Sequence, residues 1–443
     1  MEVSFCMNEI WEEVNMGKKI MALAMVLMMV LSLAACGSKN SSDTDRRAAA
    51  DSDYTLKVTI WDTNQQKGLQ EIMDDWTKTS GIKVDIQVVT WNEYWTLLEA
   101  GASGGQLPDV FWMHSNQAQK YIQNGLLLDL TDKIESSDSI DLNNNYPEMV
   151  KLYSSDEKQY AIPKDIDTIA LWYNKTLFDE AGIAYPDDSW TWDTLYETAK
   201  KLTKPDGSVY GYAANTSNNQ DSYYNAIYAY GGTIISDDKK KSGYDDPKTI
   251  EAMQLFEKMS KEKIMPDLQT LSENGTEVLF QSGKVAMITQ GSWMVPSFRD
   301  NDYTMKNCDI AVLPKGPDGT RVSIYNGLGW AAAANGKHTD AAWSLIEYLG
   351  SKDAQLKQAQ LGVTMSAYKG LSDDWKNAVP DFHLQAYIDM LNATLVFRPY
   401  SKNTTTWEDM ATEDLKAAWS GQASMEDTLK TIAASMNETL SEE

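Results

Sequence analysis

The sequence contains little cysteine and histidine and lacks the common catalytic signatures. Its 443 residues include 3 Cys and 3 His. His114, His338 and His383 lie far apart, so they do not have the spacing of a zinc site, and there is no phosphate-binding loop or H-E-x-x-H motif. We therefore expect neither a metal nor a cofactor. Carboxylates are plentiful, so a paired-carboxylate glycosidase stays open, although no pair is singled out by its surroundings.

Basic residues are also scarce, since 39 Lys and Arg stand against 64 Asp and Glu and the formal net charge is −25. Such acidity argues against nucleic acid or an anionic lipid surface as a partner. The three cysteines are Cys6, Cys36 and Cys308. Because Cys6 and Cys36 fall in the N-terminal segment described next, no pair is left for a structural disulfide. The chain must rely on a large core instead.

Long apolar runs are limited to residues 20–33, and this run is too short to cross about 30 Å of hydrocarbon comfortably. Lys18 and Lys19 precede it, and Leu-Ala-Ala-Cys-Gly at 33–37 ends it, which is the layout of a secretory signal. The ending resembles a bacterial lipobox, in which the cysteine is lipidated and becomes the mature N-terminus. We predict a signal peptide over 1–35, and a lipidated Cys36 with a polar, flexible tether over 36–53.

The first 15 residues do not suit the start of a signal peptide. Glu2, Glu9, Glu12 and Glu13 place four acidic side chains where basic ones belong. We therefore interpret residues 1–15 as an extension and predict Met16 as the true start.

From Tyr54 onward the hydrophobic pattern predicts strands alternating with helices. Leu56, Val58 and Ile60 alternate with Lys57 and Thr59, as in a half-buried strand. The segments that follow are a helix over 65–79, a strand over 82–89, a helix over 91–100 and a strand over 109–113. This order favours a mainly parallel sheet, in which ligands bind beyond the carboxyl ends of the strands. The tips at 61–63, 91–92 and 112–114 are therefore candidate site segments.

The segment Gly-Ala-Ser-Gly-Gly at 101–105 matches the nucleophile-elbow pattern of hydrolases. An elbow needs a strand before it and a helix after it, and here the order is reversed. We interpret it as a glycine-rich loop between a helix and a strand.

The aromatic residues are unusual in kind, since 15 Trp and 22 Tyr accompany 8 Phe. Trp and Tyr are favoured where one face is apolar and one edge meets water or a polar ligand. The excess hints at carbohydrate binding, although most of these side chains are expected in ordinary half-buried positions.

Several motifs occur in the order typical of one family. The main one is YAIPKDIDTIALWYNKTLF at 160–178, followed by AGI at 181–183 and WTWD at 190–193. The others are PDVFW at 108–112, FQSGKVAM at 280–287, GSW at 291–293, GLGW at 327–330 and a helix over 341–350. Together they make the chain, from Tyr54 to its C-terminus, similar to family 1 extracellular solute-binding proteins, the group that includes maltose-binding protein. The charged pair that follows the position of Trp112 in maltose-binding protein is replaced here by Ser115 and Asn116.

The resemblance implies an α/β, two-lobed, periplasmic-binding-protein-like (type II) fold with hinge crossovers and a ligand cleft between the lobes. We place the N-lobe at 54–165 plus 325–370. The C-lobe then covers 166–324 plus 371–443, with C-terminal helices over 404–440. The polar crossover at 164–167 suits a hinge between two lobes.

The implied function is capture of a sugar, an oligosaccharide above all, for delivery to an ABC importer, with no enzymatic activity. The implied partners are the sugar, the permease subunits and the membrane through the lipid anchor, and the protein is expected to be a monomer outside the cytoplasm. The expected stacking residues are Trp61, Trp112, Trp293 and Trp330, with Tyr223 or Tyr224 as a further candidate. The expected hydroxyl partners are Asp62, Asn64, Asp167, Gln220, Asp221 and Arg398. A polyamine, an iron chelate or a peptide stays open as the solute.

Overall fold

The computed structural model describes residues 54–443, so the predicted signal peptide, Cys36 and the tether lie outside the described residues. Within 54–443, every helix is too short or too polar to cross a membrane.

The strands are β1 (Thr55–Ile60), β2 (Lys83–Val88), β3 (Val110–Met113), β4 (Ser154–Ser155), β5 (Lys158–Gln159), β6 (Ala161–Pro163), β7 (Ile169–Asn174), β8 (Met287–Gly291), β9 (Cys308–Ala311), β10 (Val322–Tyr325), β11 (Gly329–Ala332) and β12 (Thr394–Phe397). The helices are α1 (Thr63–Ser80), α2 (Trp91–Gly104), α3 (Ser115–Gln123), α4 (Thr131–Glu135), α5 (Pro147–Leu152), α6 (Lys175–Ala181), α7 (Trp192–Leu202), α8 (Tyr223–Ala229), α9 (Pro247–Lys261), α10 (Leu268–Gln281), α11 (Val295–Arg299), α12 (Asp302–Asn307), α13 (Thr339–Gly350), α14 (Lys352–Gln360), α15 (Ser372–Ala378), α16 (Gln385–Leu391), α17 (Thr404–Trp419) and α18 (Met425–Ser441).

The larger sheet has five strands in the order β2-β1-β3-β11-β6. The alternation in β1 is confirmed, because Leu56, Val58 and Ile60 are all fully buried. β1 runs parallel to β2 and β3, whereas β11 is antiparallel to β3 and to β6. The prediction of a mainly parallel sheet is therefore wrong for half of the pairings. β11 comes from a distant part of the chain rather than from a strand–helix–strand crossover, so nothing requires it to run parallel.

The smaller sheet has β7 at its centre, with β8 and β9 antiparallel on either side. All six residues of β7 are buried, as the continuous apolar run at 169–173 predicts for a strand covered on both faces. β10 and β12 form a separate parallel pair.

The segment 101–105 does not form the loop predicted from its glycines. α2 continues through Gly104, and Gly105 ends it with φ of 64°. A left-handed residue after the last helical turn is the usual role of glycine at a helix C-terminus.

The hydrophobic side chains form separate cores around the two sheets. One core surrounds the larger sheet and includes Val58, Trp112 and Trp330. Two further clusters flank β7, one through Leu171 and one through Trp172. The predicted C-terminal helices are present as α17 and α18, and they pack into the cluster that contains Leu171.

Segments that cross between the two sheets run side by side. The backbone N–H of Lys164 donates to Leu328 O at 2.7 Å, and that of Asp167 donates to Asn326 O at 2.9 Å. The N–H of Ile166 donates to Met365 O at 3.2 Å. These crossings lie directly beneath the cavity described next.

Candidate functional site

A cavity of about 760 Å³ opens at the carboxyl ends of the parallel strands of the larger sheet. Trp61 and Asp62 follow β1, Trp91 follows β2, and His114 follows β3, and all four line the cavity. The parallel strands end at one edge of the sheet, so the residues that follow them meet there.

The opposite wall and the floor come from other parts of the chain. The loop before α8 supplies Asn218, Asn219 and Gln220, and the turn after β8 supplies Trp293. The crossing segment supplies Asp167. The remaining lining residues are Gln65, Thr90, Asn92, Asn116, Asp165, Ile166, Ser217, Ser292, Met294, Leu328, Thr364, Arg398, Glu408, Asp409 and Thr412. Within 54–443, no group of three or more His, Cys, Asp or Glu side chains could hold a metal ion.

Two indoles and an imidazole form an aromatic wall, made of Trp61, Trp91 and His114. The ring of Trp61 meets that of Trp91 edge to face, with centroids 5.0 Å apart, and Trp91 meets His114 in the same way at 5.1 Å. Trp91 is 38% exposed, which is unusual for so large an apolar side chain. An indole face that stays open to a cavity can take a flat apolar surface of a ligand.

Trp293 stands in the short turn Ser292–Met294 after β8. Its indole is half-buried and lies close over Gly291, where a Cβ would overlap the ring. Glycine at 291 is thus required for this placement. The structure therefore puts Trp293 in the cavity lining, and its stacking on a ligand stays a prediction.

Asp62 lines the cavity but is already engaged as a helix cap. Its Oδ1 accepts from the backbone N–H of Asn64 at 2.9 Å, and its Oδ2 accepts from Gln65 Nε2 at 3.0 Å. Gln65 Oε1 in turn accepts from the buried Lys164 Nζ at 2.8 Å. The carboxylate of Asp62 is therefore held in one orientation.

Asp167 is held in the cavity floor through one of its two oxygens. Oδ1 accepts from Gln220 Nε2 at 2.6 Å and from the backbone N–H of Asn326 at 3.1 Å. Burial raises the pKa of Asp167 well above its ordinary value, and the nearby Asp165 raises it further. The structure brings Asp167 and Gln220 together in the cavity lining, and their contact with a ligand stays a prediction.

His114 is the polar member of the aromatic wall. Its Nδ1 lies 2.8 Å from Asn116 Oδ1, and its Nε2 lies 3.1 Å from Asn326 Nδ2. Burial lowers the pKa of His114 to about 3, and the Arg398 guanidinium acts in the same direction. The imidazole is therefore neutral at ordinary pH.

Arg398 reaches the cavity but its charge is used within the protein. Its Nη2 lies 2.8 Å from Glu408 Oε1 and also donates to Asn219 Oδ1 at 3.2 Å, while Nη1 lies 3.4 Å from Ser115 Oγ. Both ionised side chains are about 5% exposed, and burial raises the pKa of Glu408. Arg398 Nε has no hydrogen-bond partner among the described residues. The pair therefore brings little net charge to the cavity, and its unpartnered donor is buried.

Trp112 and Trp330 were predicted as stacking residues, and the structure corrects this. Both are buried in the core, and they face each other across β3 and β11. β3 continues to Met113, so the first residue beyond the strand is His114 rather than Trp112. The ring of Trp112 is further covered by Lys164, whose Nζ lies 4.7 Å from the ring centroid.

Asn64, Asp221 and Tyr224 are also outside the cavity lining. Asn64 is exposed in the first turn of α1, where its amide donates to Asp62. Asp221 is 1% exposed, and its Oδ2 accepts from Asn218 Nδ2 at 3.1 Å. Tyr224 is fully buried, with its hydroxyl 3.3 Å from that of Tyr244, and the alternative Tyr223 is buried as well. Tyr223 packs against Trp419 of α17, with ring centroids 6.2 Å apart.

The sequence analysis included Trp91 and His114 in its candidate segments at the strand tips, but did not name either as a ligand contact. It missed Asn116 and Glu408 altogether. Glu408 sits inside α17, 10 residues after Arg398. No local pattern marks it.

Comparison with known proteins places the chain among sugar-binding relatives. The family described as bacterial extracellular solute-binding protein matches residues 61–356. A galactooligosaccharide-binding protein of Bacillus subtilis is 26% identical over 374 residues, which cover 81% of this chain and 83% of that protein. A maltotriose-binding protein of Pyrococcus abyssi is 27% identical over 318 residues, covering 69% of this chain and 65% of that one.

A solved structure has the same fold. It is an ABC substrate-binding protein from Listeria monocytogenes in complex with cycloalternan, which superposes with a TM-score of 0.81 at 24% identity and covers 87% of this chain and 99% of its own. The fold is therefore two-lobed and α/β, with hinge crossovers and a ligand cleft between the lobes, as the resemblance implied.

The buried Asp221 predicts an unusual pH dependence of stability. Burial raises the pKa of this carboxyl well above its ordinary value, Glu277 adds to the shift, and Oδ1 has no hydrogen-bond partner among the described residues. A raised pKa favours the protonated folded state, so the wild type loses stability as the pH rises from about 4 through the folded-state pKa. Asp221→Asn should therefore melt a few degrees higher than the wild type at pH 8, with the gap closing near pH 4.

A matched control is Asp206→Asn. Asp206 is exposed and accepts hydrogen bonds from Ser208, which lower its pKa, so its contribution is present at neutral pH and is lost on acidification. This variant should melt slightly lower than the wild type at pH 8. Equal effects of Asp221→Asn at pH 4 and pH 8 in thermal melts would contradict the assignment.

Proposed function

Because the chain belongs to the bacterial extracellular solute-binding protein family, we propose that it captures a sugar, most readily an oligosaccharide, in its cleft and delivers it to an ABC importer. The relatives named above bind galactooligosaccharides and maltotriose, and the structural neighbour binds cycloalternan. These are proteins that bind rather than transform their ligands. The proposed role is accordingly binding and not catalysis.

The observation that carries the proposal is the pairing of aromatic and amide surfaces across one cavity. A sugar ring presents C–H faces, which lie on aromatic rings, and hydroxyls, which need donors and acceptors together. Trp61, Trp91 and Trp293 supply the first kind of surface. The amides of Asn218 and Gln220 belong to the second kind, because an amide both donates and accepts.

The charge of the lining favours a neutral solute over the alternatives. Among the described lining residues the one basic side chain is Arg398, and Glu408 pairs with it, so an iron chelate or another anion meets no free cation. A polyamine needs several free carboxylates. Asp62 is occupied as a helix cap, Asp165 pairs with Lys164 at 2.6 Å and Glu408 pairs with Arg398, so of the described lining carboxylates only Asp167 and Asp409 have no such partner.

Capture requires the two lobes to close over the sugar. We place the N-lobe at 54–165 plus 325–370 and the C-lobe at 166–324 plus 371–443, with the hinge at the crossing segments. Contacts from both walls form only in the closed state, so the sugar stabilises that state. A monomer suffices for this mechanism.

The protein works outside the cytoplasmic membrane in this proposal. The signal at 1–35 directs export, lipidated Cys36 anchors the chain, and the tether over 36–53 lets the lobes reach the permease subunits. The lipobox sequence supports this part of the proposal.

A thermal-shift screen tests the function. The library should contain galactooligosaccharides, maltotriose and cyclic glucans, with polyamines, ferric siderophores and short peptides as the rival solutes. A bound solute at 100 times its Kd stabilises the folded state by about 2.7 kcal/mol. Stabilisation by a sugar supports the proposal, whereas a shift confined to one of the rival classes overturns it.

The two indoles Trp293 and Trp330 should respond in opposite ways to truncation. Trp293→Ala should weaken sugar binding by about 1–3 kcal/mol, as for aromatic stacking on flat ligands, and should change the melt little because the indole is part-exposed. Trp330→Ala, the matched core control, should destabilise the fold by about 3–5 kcal/mol and leave the affinity of the folded fraction near normal. Calorimetry and thermal melts separate the two. An early melt with unchanged affinity for Trp293→Ala contradicts its cavity role.

The anchor is tested at Cys36. Cys36→Ala should leave the precursor without a lipid and move the protein from the membrane fraction to the medium or an unprocessed pool. Cys308→Ala is the matched control, because the Cys308 thiol is buried in the core and its loss should not alter fractionation. Unchanged membrane association of Cys36→Ala would show that another anchor exists.

A further inference from the structure

We infer that Asn326 is a positioning residue that fixes the aromatic wall and the amide wall of the cavity at the same time. Its side-chain nitrogen lies 3.1 Å from His114 Nε2 and donates to Gln220 Oε1 at 3.3 Å. The first partner belongs to the wall made by the larger sheet, and the second to the loop before α8. For sugar affinity the inference rests on the proposed function, while the contacts themselves are independent of it.

Asn326 acts from below the cavity rather than inside it. It is 1% exposed and is not among the lining residues. It lies between β10 and β11, where its backbone pairs with Asp167 in both directions, N–H to Oδ1 at 3.1 Å and carbonyl to N–H at 2.9 Å. The backbone is thus anchored to the crossing segment, which leaves the amide little freedom to move.

The hydrogen bonds of this network run in one direction. Asp167 Oδ1 accepts the backbone N–H of Asn326 at 3.1 Å and the Gln220 NH₂ at 2.6 Å, which turns Gln220 Oε1 toward Asn326. The side-chain NH₂ of Asn326 donates to that Oε1, and its second proton points to His114 Nε2.

This network assigns His114 the neutral tautomer in which Nε2 accepts from Asn326, while Nδ1 carries the proton and donates to Asn116 Oδ1 at 2.8 Å. The backbone N–H of Asn116 is the competing donor, because it also points at Nδ1, at 3.3 Å, and an Nδ1 that accepts it leaves the proton on Nε2. The measured tautomer therefore decides whether Asn326 or the Asn116 backbone orients the ring. A ring fixed at both nitrogens offers a rigid edge to Trp91, 5.1 Å away, and so supports the aromatic wall.

Substitutions at 326 should break both links together. Asn326→Asp replaces the NH₂ with a carboxylate oxygen, which cannot donate to His114 or to Gln220 and attracts a proton onto Nε2. Asn326→Ala removes the donor without adding charge. Asn335→Asp is the matched control, because Asn335 is exposed, is not part of this cavity and gains the same charge.

The tautomer can be measured directly in protein free of sugar. Long-range ¹H–¹⁵N spectra of ¹⁵N-histidine-labelled protein contain signals from three histidines, and His338→Gln and His383→Gln assign them. We expect His114 to show a protonated Nδ1 and an unprotonated Nε2 from pH 8 down to pH 4. The signature should persist in Asn335→Asp and be lost in Asn326→Asp and Asn326→Ala.

The second readout is the affinity for maltotriose, followed by calorimetry. Both variants at 326 should weaken it at least tenfold, and Asn335→Asp should leave it unchanged. A purely structural Asn326 would lower the melting temperature and leave the His114 tautomer as it was. That result, or a protonated Nε2 in the wild type, overturns the inference.

The sugar-binding function and the positioning role of Asn326 can be contradicted independently of each other. If maltotriose does not bind the wild type, the sugar assignment is called into question, but the wild-type tautomer still decides the role of Asn326. If the variants do not fold, the wild-type spectrum still tests the role of Asn326, because a protonated Nε2 on His114 overturns it.

Discussion

The buried ion pair between Lys164 and Asp165 is the constraint on which the register of the crossing segments depends. Removing two charges from water costs several kcal/mol for each, so such a pair persists only when its remaining donors and acceptors are satisfied. Lys164 Nζ reaches Asp165 Oδ2 at 2.6 Å and Gln65 Oε1 at 2.8 Å, and Asp165 Oδ1 accepts the backbone N–H of Leu328 at 2.7 Å. These partners come from α1 and from two crossing segments. These crossing segments cannot shift in register without leaving a buried charge unpaired.

The same pair explains how the tryptophans divide between core and cavity. Lys164 covers the ring of Trp112, which already packs edge to face with Trp61 at 4.8 Å. Trp112 is therefore closed off from the cleft. Trp61 lies between them, because it contacts Trp112 in the core and Trp91 in the aromatic wall. Trp91 continues that wall into the open part of the cavity.

Two amides that line the cleft have their orientation fixed by neighbouring residues. Gln220 is fixed by Asp167 and Asn326, and Asn218 is fixed by the buried Asp221. An amide held in this way presents a donor and an acceptor at set positions. In the proposed function, a solute with a matching pattern of hydroxyls is bound without the cost of ordering those side chains first. Asp221, predicted as a contact, lies behind the cavity lining and orients Asn218.

The sequence by itself determined the fold class, the family and much of the secondary structure. The alternation in β1, the helical spacing of α1 and the buried run of β7 are local patterns, and the strand tips correctly pointed to Trp61, Asp62 and Trp91. What only the tertiary structure decided is which side of each motif faces the cleft. Trp112 and Trp330 are buried because β3 and β11 pair across the centre of the sheet, from positions more than 200 residues apart. Asn326 and Glu408 enter the site for the same reason, since long-range strand pairing and helix packing bring together residues that no local spacing connects.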